Sequence, residues 1–177
     1  MTEHRRSLHV GIFGPGLSGK TTLAKRLACE YWRSRRIRSI VLDPIGDDWG
    51  PGAFATADPE AFRAMIRRTQ QCAVFVEEAS ETVARDDEYI PLFTSIRHKG
   101  HRMHVIGHDG MSLLPVMRQQ LQTLFLFRQD KKPLKVWAEL LSEPAIHQAS
   151  TLSQYEFLWC RLYEKPVKGR LNFEIKS

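Results

Sequence analysis

Gly14-Pro15-Gly16-Leu17-Ser18-Gly19-Lys20-Thr21 decides how this chain is read. The stretch fills every fixed position of G-x-x-x-x-G-K-[ST], the pattern of a loop that wraps phosphate. An apolar run, Leu8 to Phe13, leads into it. A helix predicted from Thr21 to about Arg33 leads out, with Leu23, Leu27 and Tyr31 at four-residue spacing. Strand, loop and helix in that order are the context such a loop needs. The glycines let backbone N–H groups turn inward without interference from a Cβ. The first amides of the helix add positive potential. Lys20 is placed to reach the β and γ oxygens of a nucleotide, and Thr21 to offer its hydroxyl to Mg²⁺. Thr22 falls beside the α-phosphate. Residues 14–22 are therefore the expected nucleotide-binding set, with ATP and Mg²⁺ as its ligands.

The 177 residues, 42% of them apolar, suffice for one domain with a full core. Residues 129–177 then form a C-terminal extension packed on it. No stretch approaches the roughly 20 apolar residues of a membrane span. The apolar run after Met1-Thr-Glu-His-Arg-Arg-Ser is short and ends in the glycine loop, so it reads as a strand rather than a leader. Three well-separated cysteines, Cys29, Cys72 and Cys160, read as buried thiols of a reducing, cytoplasmic setting. The formal charge is +6, and basic residues cluster at 97–102, 128–135 and 165–170. That balance favours a polyanionic partner, though a solvated surface has the same composition.

Strand-like and helix-like segments alternate. Strands are expected at His9–Phe13, Ser39–Asp43, Cys72–Glu77, Met103–Gly107 and Thr123–Arg128. Residues 44–57 read as loop. Asp58-Pro59 reads as an N-cap with proline in the first turn, opening a helix over 59–71. Further helices are expected near 88–97, 113–122, 137–141 and 153–163, and a small edge strand at 171–175. The aromatic residues Tyr155, Phe157, Trp159 and Tyr163 are then core. Continuous apolar strands such as Cys72-Ala-Val-Phe-Val suit a parallel sheet covered on both faces. The fold class is α/β, a three-layer P-loop domain with a mostly parallel central sheet.

Glu77 and Glu78 close the third of these strands. In open α/β sheets ligands sit at the carboxyl ends of the strands. Glu77 is the candidate to hold Mg²⁺, and Glu78 the candidate to accept a proton from the attacking water or to orient it. The strand that carries them is expected next to that of the loop. Asp43, at another strand end, is the rival for the metal and is where a small-molecule kinase would have an acid. At the end of the fourth strand, His108 is placed to sense the γ-phosphate, with Asp109 as the alternative. Arg97 is the first candidate for an arginine reaching a neighbouring subunit's nucleotide, Arg102 the second, with Arg118 and Arg128 behind them. His98, His101 and His104 lie close together but lack cysteine partners for a metal site.

With these residues in view, the chain resembles the FtsK–HerA superfamily of DNA-pumping ATPases. Within it, the chain is similar to the small genome-packaging ATPases of tailless, internal-membrane viruses and phages. The matching parts are Gly14–Thr21, Val41-Leu-Asp43-Pro44-Ile-Gly46-Asp47, Val74-Phe-Val-Glu77-Glu78, the run from Ser95 to Gly107, and that from Leu114 to Arg128. The resemblance implies a RecA/ASCE-like fold, Glu77 as the Walker B acid and Glu78 as the catalytic glutamate. It implies DNA translocation, with double-stranded DNA as partner. A homo-oligomeric ring, often of six in the family, and capsid or portal-vertex proteins complete what it implies. His108 stands where the family has glutamine. Two other functions stay open on the residues alone: a small-molecule kinase, and a nucleotide-regulated binding module without catalysis.

Overall fold

The computed structural model describes residues 9–79 and 87–173. One eight-stranded sheet runs through them in the order β3-β2-β4-β5-β1-β6-β7-β8. The strands are β1 (His9–Phe13), β2 (Ser39–Leu42), β3 (Ala53–Thr56), β4 (Ala73–Val76), β5 (Arg102–Gly107), β6 (Leu121–Leu126), β7 (Glu156–Arg161) and β8 (Val167–Arg170). From β3 to β6 all neighbours are parallel; β7 and β8 continue the sheet antiparallel. Every residue of β1, β2 and β4 is buried, as continuous apolar runs in a doubly covered sheet require.

The helices are α1 (Lys20–Arg35), α2 (Pro59–Arg68), α3 (Ile90–Thr94), α4 (Pro115–Arg118) and α5 (Lys131–Leu141). They divide the core in two. On one face Val10, Ile12, Val41 and Phe75 meet Leu23, Ala24 and Ala28 of α1. On the other, Phe13, Leu42, Val74 and Val76 meet Phe62 and Ile66 of α2, Phe93 of α3, Met117 of α4 and Trp137 of α5. Helix, sheet and helix make the three layers. Phe13 stacks on Trp137 at 5.2 Å between ring centres, joining the first strand to the last helix.

Several elements differ from expectation, each for a physical reason. Residues 53–56 form β3 on the sheet edge, where little apolar surface is buried and the sequence signal is weak. The helix expected over 88–97 is broken into a turn of 3₁₀ helix at Asp87–Tyr89, α3, and a second 3₁₀ turn at Ile96–Lys99, since Pro91 can sit only in a first turn. The helix expected over 113–122 shrinks to α4, because β6 already begins at Leu121. The largest change is at 153–163, where β7 replaces a helix. Tyr155, Trp159 and Tyr163 are four residues apart, which mimics a helical face. The burial alternates instead, with Leu158 and Cys160 inward and Phe157, Trp159 and Arg161 half-buried. Tyr163 is 93% exposed and is not core. The edge strand is Val167–Arg170, ahead of the expected position; residues 174 and 175 lie outside the described residues, as do Glu81 and Asp86 of the acidic stretch. Cys72 and Cys160 are buried, whereas Cys29 is exposed.

Candidate active site

The glycine loop begins where β1 ends and is pinned from both sides. Gly14 N donates to Gly107 O of β5 at 3.2 Å, and Phe127 N donates to Phe13 O at 2.9 Å. Gly19 stands in the left-handed region, φ 102°, and caps α1 with no side-chain partner for the helix's first amides. A Cβ on Gly19 would come within 2.6 Å of Leu171 Cδ1, so the C-terminal segment packs directly on the loop. Gly16 differs: a Cβ there would meet nothing within 4 Å, leaving an open cradle. Ser18 is buried, and its Oγ has no hydrogen-bond partner among the described residues. Lys20 Nζ donates to Pro15 O at 2.8 Å, folding the side chain across its own loop. Burial lowers the Lys20 pKa, against the pull of Glu78 and Glu77, which favour its charge. A buried ammonium, helix-start amides and an unpartnered hydroxyl around an open cradle have the chemistry to hold an anion.

Glu77 does not sit on the neighbour of the loop strand. β5 lies between β1 and β4, so the acid reaches the loop across an intervening strand. The β4 strand still brings it close, because Glu77 N donates to Leu42 O and continues the parallel register. Thr21 donates its hydroxyl to Glu77 Oε1. Glu77 is 3% exposed. Burial raises its pKa, the Thr21 bond and Lys20 oppose that, and the nearby charges of Glu78 and Asp43 add to it. A hydroxyl and a buried carboxylate make a hard, all-oxygen donor pair of the kind Mg²⁺ takes, and a cation there would relieve the buried charge. Glu78 follows with φ 48°, a left-handed backbone that costs a residue bearing a Cβ roughly 1–2 kcal/mol. The turn sets Glu78 off the strand line, next to Lys20 and Glu77.

Asp43 has another task. Its Oδ1 accepts from Ile45 N at 2.9 Å, and its Oδ2 accepts from Asp47 N and Trp49 Nε1, each at 2.9 Å. Burial works to raise its pKa, but the bonds from Trp49 and the amides of Ile45, Asp47 and Gly46 outweigh it and hold the carboxyl low. Asp43 buckles the loop after β2, and its acceptors are already engaged.

His108 is exposed at the end of β5 and lines a cavity of 390 Å³ with Pro15, Asp109 and Arg128. Gln129 donates to the His108 carbonyl at 2.7 Å, fixing its backbone while the ring stays open to the cavity. Asp109 is more committed: Oδ1 accepts from Met111 N, and its carbonyl accepts from Trp137 Nε1. Among the described arginines, Arg128 lines cavities beside the glycine loop. Arg118 clamps the carbonyls of Met111 and Leu113. Arg97 and Arg102 stand at the amino end of β5, the opposite edge of the sheet, about 17 Å of strand away from the loop edge. They do not reach the loop of their own chain. His101 and His104 are buried and bonded to backbone carbonyls at that same edge.

The sequence matches no protein-family model and no curated protein. Solved structures match over nearly the whole chain. The genome packaging NTPase B204 of Sulfolobus turreted icosahedral virus 2, in complex with sulfate, superposes with a TM-score of 0.80, covering 96% of this chain and 99% of that one at 16% identity. Its complex with AMPPCP gives 0.78. VirB4 of Thermoanaerobacter pseudethanolicus gives 0.66 at 12% identity, covering 99% of this chain and 92% of that one. This is a RecA/ASCE-like P-loop NTPase fold. The expected fold class is met, and so is the likeness to viral packaging ATPases. Because β1, β5 and β4 run parallel, their carboxyl ends share one edge of the sheet, which carries the loop, both glutamates and His108 together.

Proposed function

We propose that this chain binds ATP with Mg²⁺ at residues 14–22, hydrolyses it, and couples the hydrolysis to translocation of double-stranded DNA during packaging of a viral genome. The observation that carries the catalytic half is the bond from Thr21 to Glu77 with Glu78 turned beside Lys20. Bound Mg²⁺ would be held by Thr21 and Glu77, the latter mostly through water, and would neutralise charge on the phosphates. Lys20 exchanges the Pro15 carbonyl for β and γ oxygens. Ser18 and the amides of 16–22 take the remaining phosphate oxygens. Glu78 accepts a proton from the attacking water or holds it in line. His108 faces the cavity that continues from the loop and reports the γ-phosphate. Arg128 lies at the loop of its own chain, while Arg97 serves only a neighbour, which calls for an oligomeric ring.

The mechanical half draws on the likeness to B204, named as a genome packaging NTPase and solved with AMPPCP, AMP and ATP-γS, and on the +6 charge. Capsid or portal-vertex proteins are the partners such work needs. Among the described residues no helix is long and apolar enough to cross a membrane. The kinase alternative loses its motive, since Asp43 is engaged in its own loop. The test is ATP turnover with and without duplex DNA across protein concentrations. Stimulation by DNA that steepens with concentration is the expected outcome. Phosphoryl transfer to metabolites indifferent to DNA, or tight binding without turnover, would overturn it.

A further inference from the structure

Beside the glycine loop lies a slot of 160 Å³ between residues 15–18 and the C-terminal segment, including Phe127, Arg128, Ser153 and Gln154. Its walls suit a flat heterocycle. Phe127 is fully buried behind it, and Leu17 stands 87% exposed at its mouth, an apolar side chain with nothing to cover it. Leu17 is held up by a left-handed backbone, φ 59°. Tyr155, after Gln154, is also left-handed at φ 66°. The polar groups are few. Gln154 Nε2 donates to the Leu17 carbonyl at 3.2 Å, a bond spanning 137 positions of sequence.

That bond fixes the amide's sense. A backbone carbonyl only accepts, so the NH₂ end must face Leu17 and the Oε1 end faces away. Oε1 is then an acceptor with no protein partner among the described residues, on an exposed side chain that lines the slot. An acceptor there attracts an exocyclic amino group and repels a ring carbonyl.

We infer that the slot between Leu17 and Gln154 takes the nucleobase, and that Gln154 Oε1 selects 6-aminopurine over 6-oxopurine nucleotides. The inference rests on the proposed use of ATP and adds the residue that chooses it. The C-terminal segment thereby supplies the base edge, while the loop supplies the phosphate site. Arg128 lines both this slot and the neighbouring cavity at His108.

The test is equilibrium competition of ATP and ITP, with Mg²⁺, against a ribose-labelled fluorescent ADP. The two triphosphates differ only at position 6 and its coupled ring proton. Wild-type protein is expected to favour ATP by about tenfold, the scale of one bond gained against one acceptor clash. Gln154→Ala and Gln154→Leu should both bring the ratio to within about twofold of one; the leucine keeps the side chain's bulk and so separates edge recognition from shape. Lys20→Ala should weaken both nucleotides by the same factor and leave the ratio alone. An unchanged ratio in both Gln154 variants, or a wild type that does not discriminate, overturns this inference and leaves ATP use standing. A wild type that binds neither triphosphate overturns both.

Discussion

The two edges of the sheet handle buried polar groups in opposite ways. At the amino edge, three histidines are buried and fully bonded. His9 Nδ1 accepts from Met103 N, so its Nε2 donates to Phe93 O. His101 Nδ1 accepts from Cys72 N, so its Nε2 donates to Thr69 O. His104 donates from Nδ1 to Arg102 O and accepts at Nε2 from Tyr31. At the carboxyl edge, Ser18 Oγ has no partner among the described residues, Lys20 is folded onto its own loop, and burial raises the Glu77 pKa. One edge spends its polar groups on the fold. The other, on the proposed reading, keeps them for a ligand, and that difference supports the site more sharply than any cavity does.

The comparison can be broken experimentally. Glu78→Gln should lower ATP turnover by about 10²–10⁴-fold in a steady-state phosphate-release assay, with little change in urea midpoint. Full turnover would remove Glu78 from the chemistry. At the other edge the readout is acid stability. The His9 pKa is lowered by burial to about 4, against the bond to Phe93 and with Arg97 and Arg102 adding to the lowering. The unfolded chain therefore takes up the proton first as pH falls below about 6.5. The stability that neutral His9 contributes should be constant above that pH and be lost between about 6.5 and 4, by on the order of 3 kcal/mol. Urea melts at pH 7, 5.5 and 4.5 check this, and a stability independent of pH in that window would contradict it.

Two glycines sharpen the contrast within the loop itself. A Cβ on Gly14 would lie 2.5 Å from Phe127 Cβ. Gly14→Ala should therefore cost about 1–3 kcal/mol as an overpacked core substitution does. Gly16→Ala should change stability by less than about 0.5 kcal/mol, since the position is open, yet weaken nucleotide binding. Paired thermal melts and titrations separate them. The smallest effect on turnover is expected at Asp43, which lies at the loop edge but bonds as the histidines do. Asp43→Asn should cost about 1 kcal/mol of stability while ATP turnover stays within tenfold. Abolished turnover would return Asp43 to the chemistry.

The parallel strands were legible because doubly buried strands are written as unbroken apolar runs, as in Cys72-Ala-Val-Phe-Val. The start of α2 was legible because Asp58 accepts from Glu60 N with Pro59 in the first turn, a wholly local signal. The loop and its two glutamates could be paired by chemistry before any geometry. What escaped is what depends on distant chain. β7 is hidden in the sequence because Tyr155, Trp159 and Tyr163 imitate a helical face, and only pairing with β6 makes the period two. The strand inserted between β1 and β4 is a fact of order, invisible to periodicity. So is the placement of Arg97 on the far edge and of Arg128 beside the loop. The Gln154–Leu17 bond joins residues that no local pattern connects.

The loop's glycines also imply how this sequence can drift. Gly14 and Gly19 are held by neighbours of the fold, Phe127 and Leu171, and any descendant that keeps the fold must keep them small. Gly16 answers to no atom of the chain within 4 Å. A lineage that gave up nucleotide while remaining folded would lose Gly16 first and the other two last, so the order of decay along the loop would record the loss of function before any change of shape.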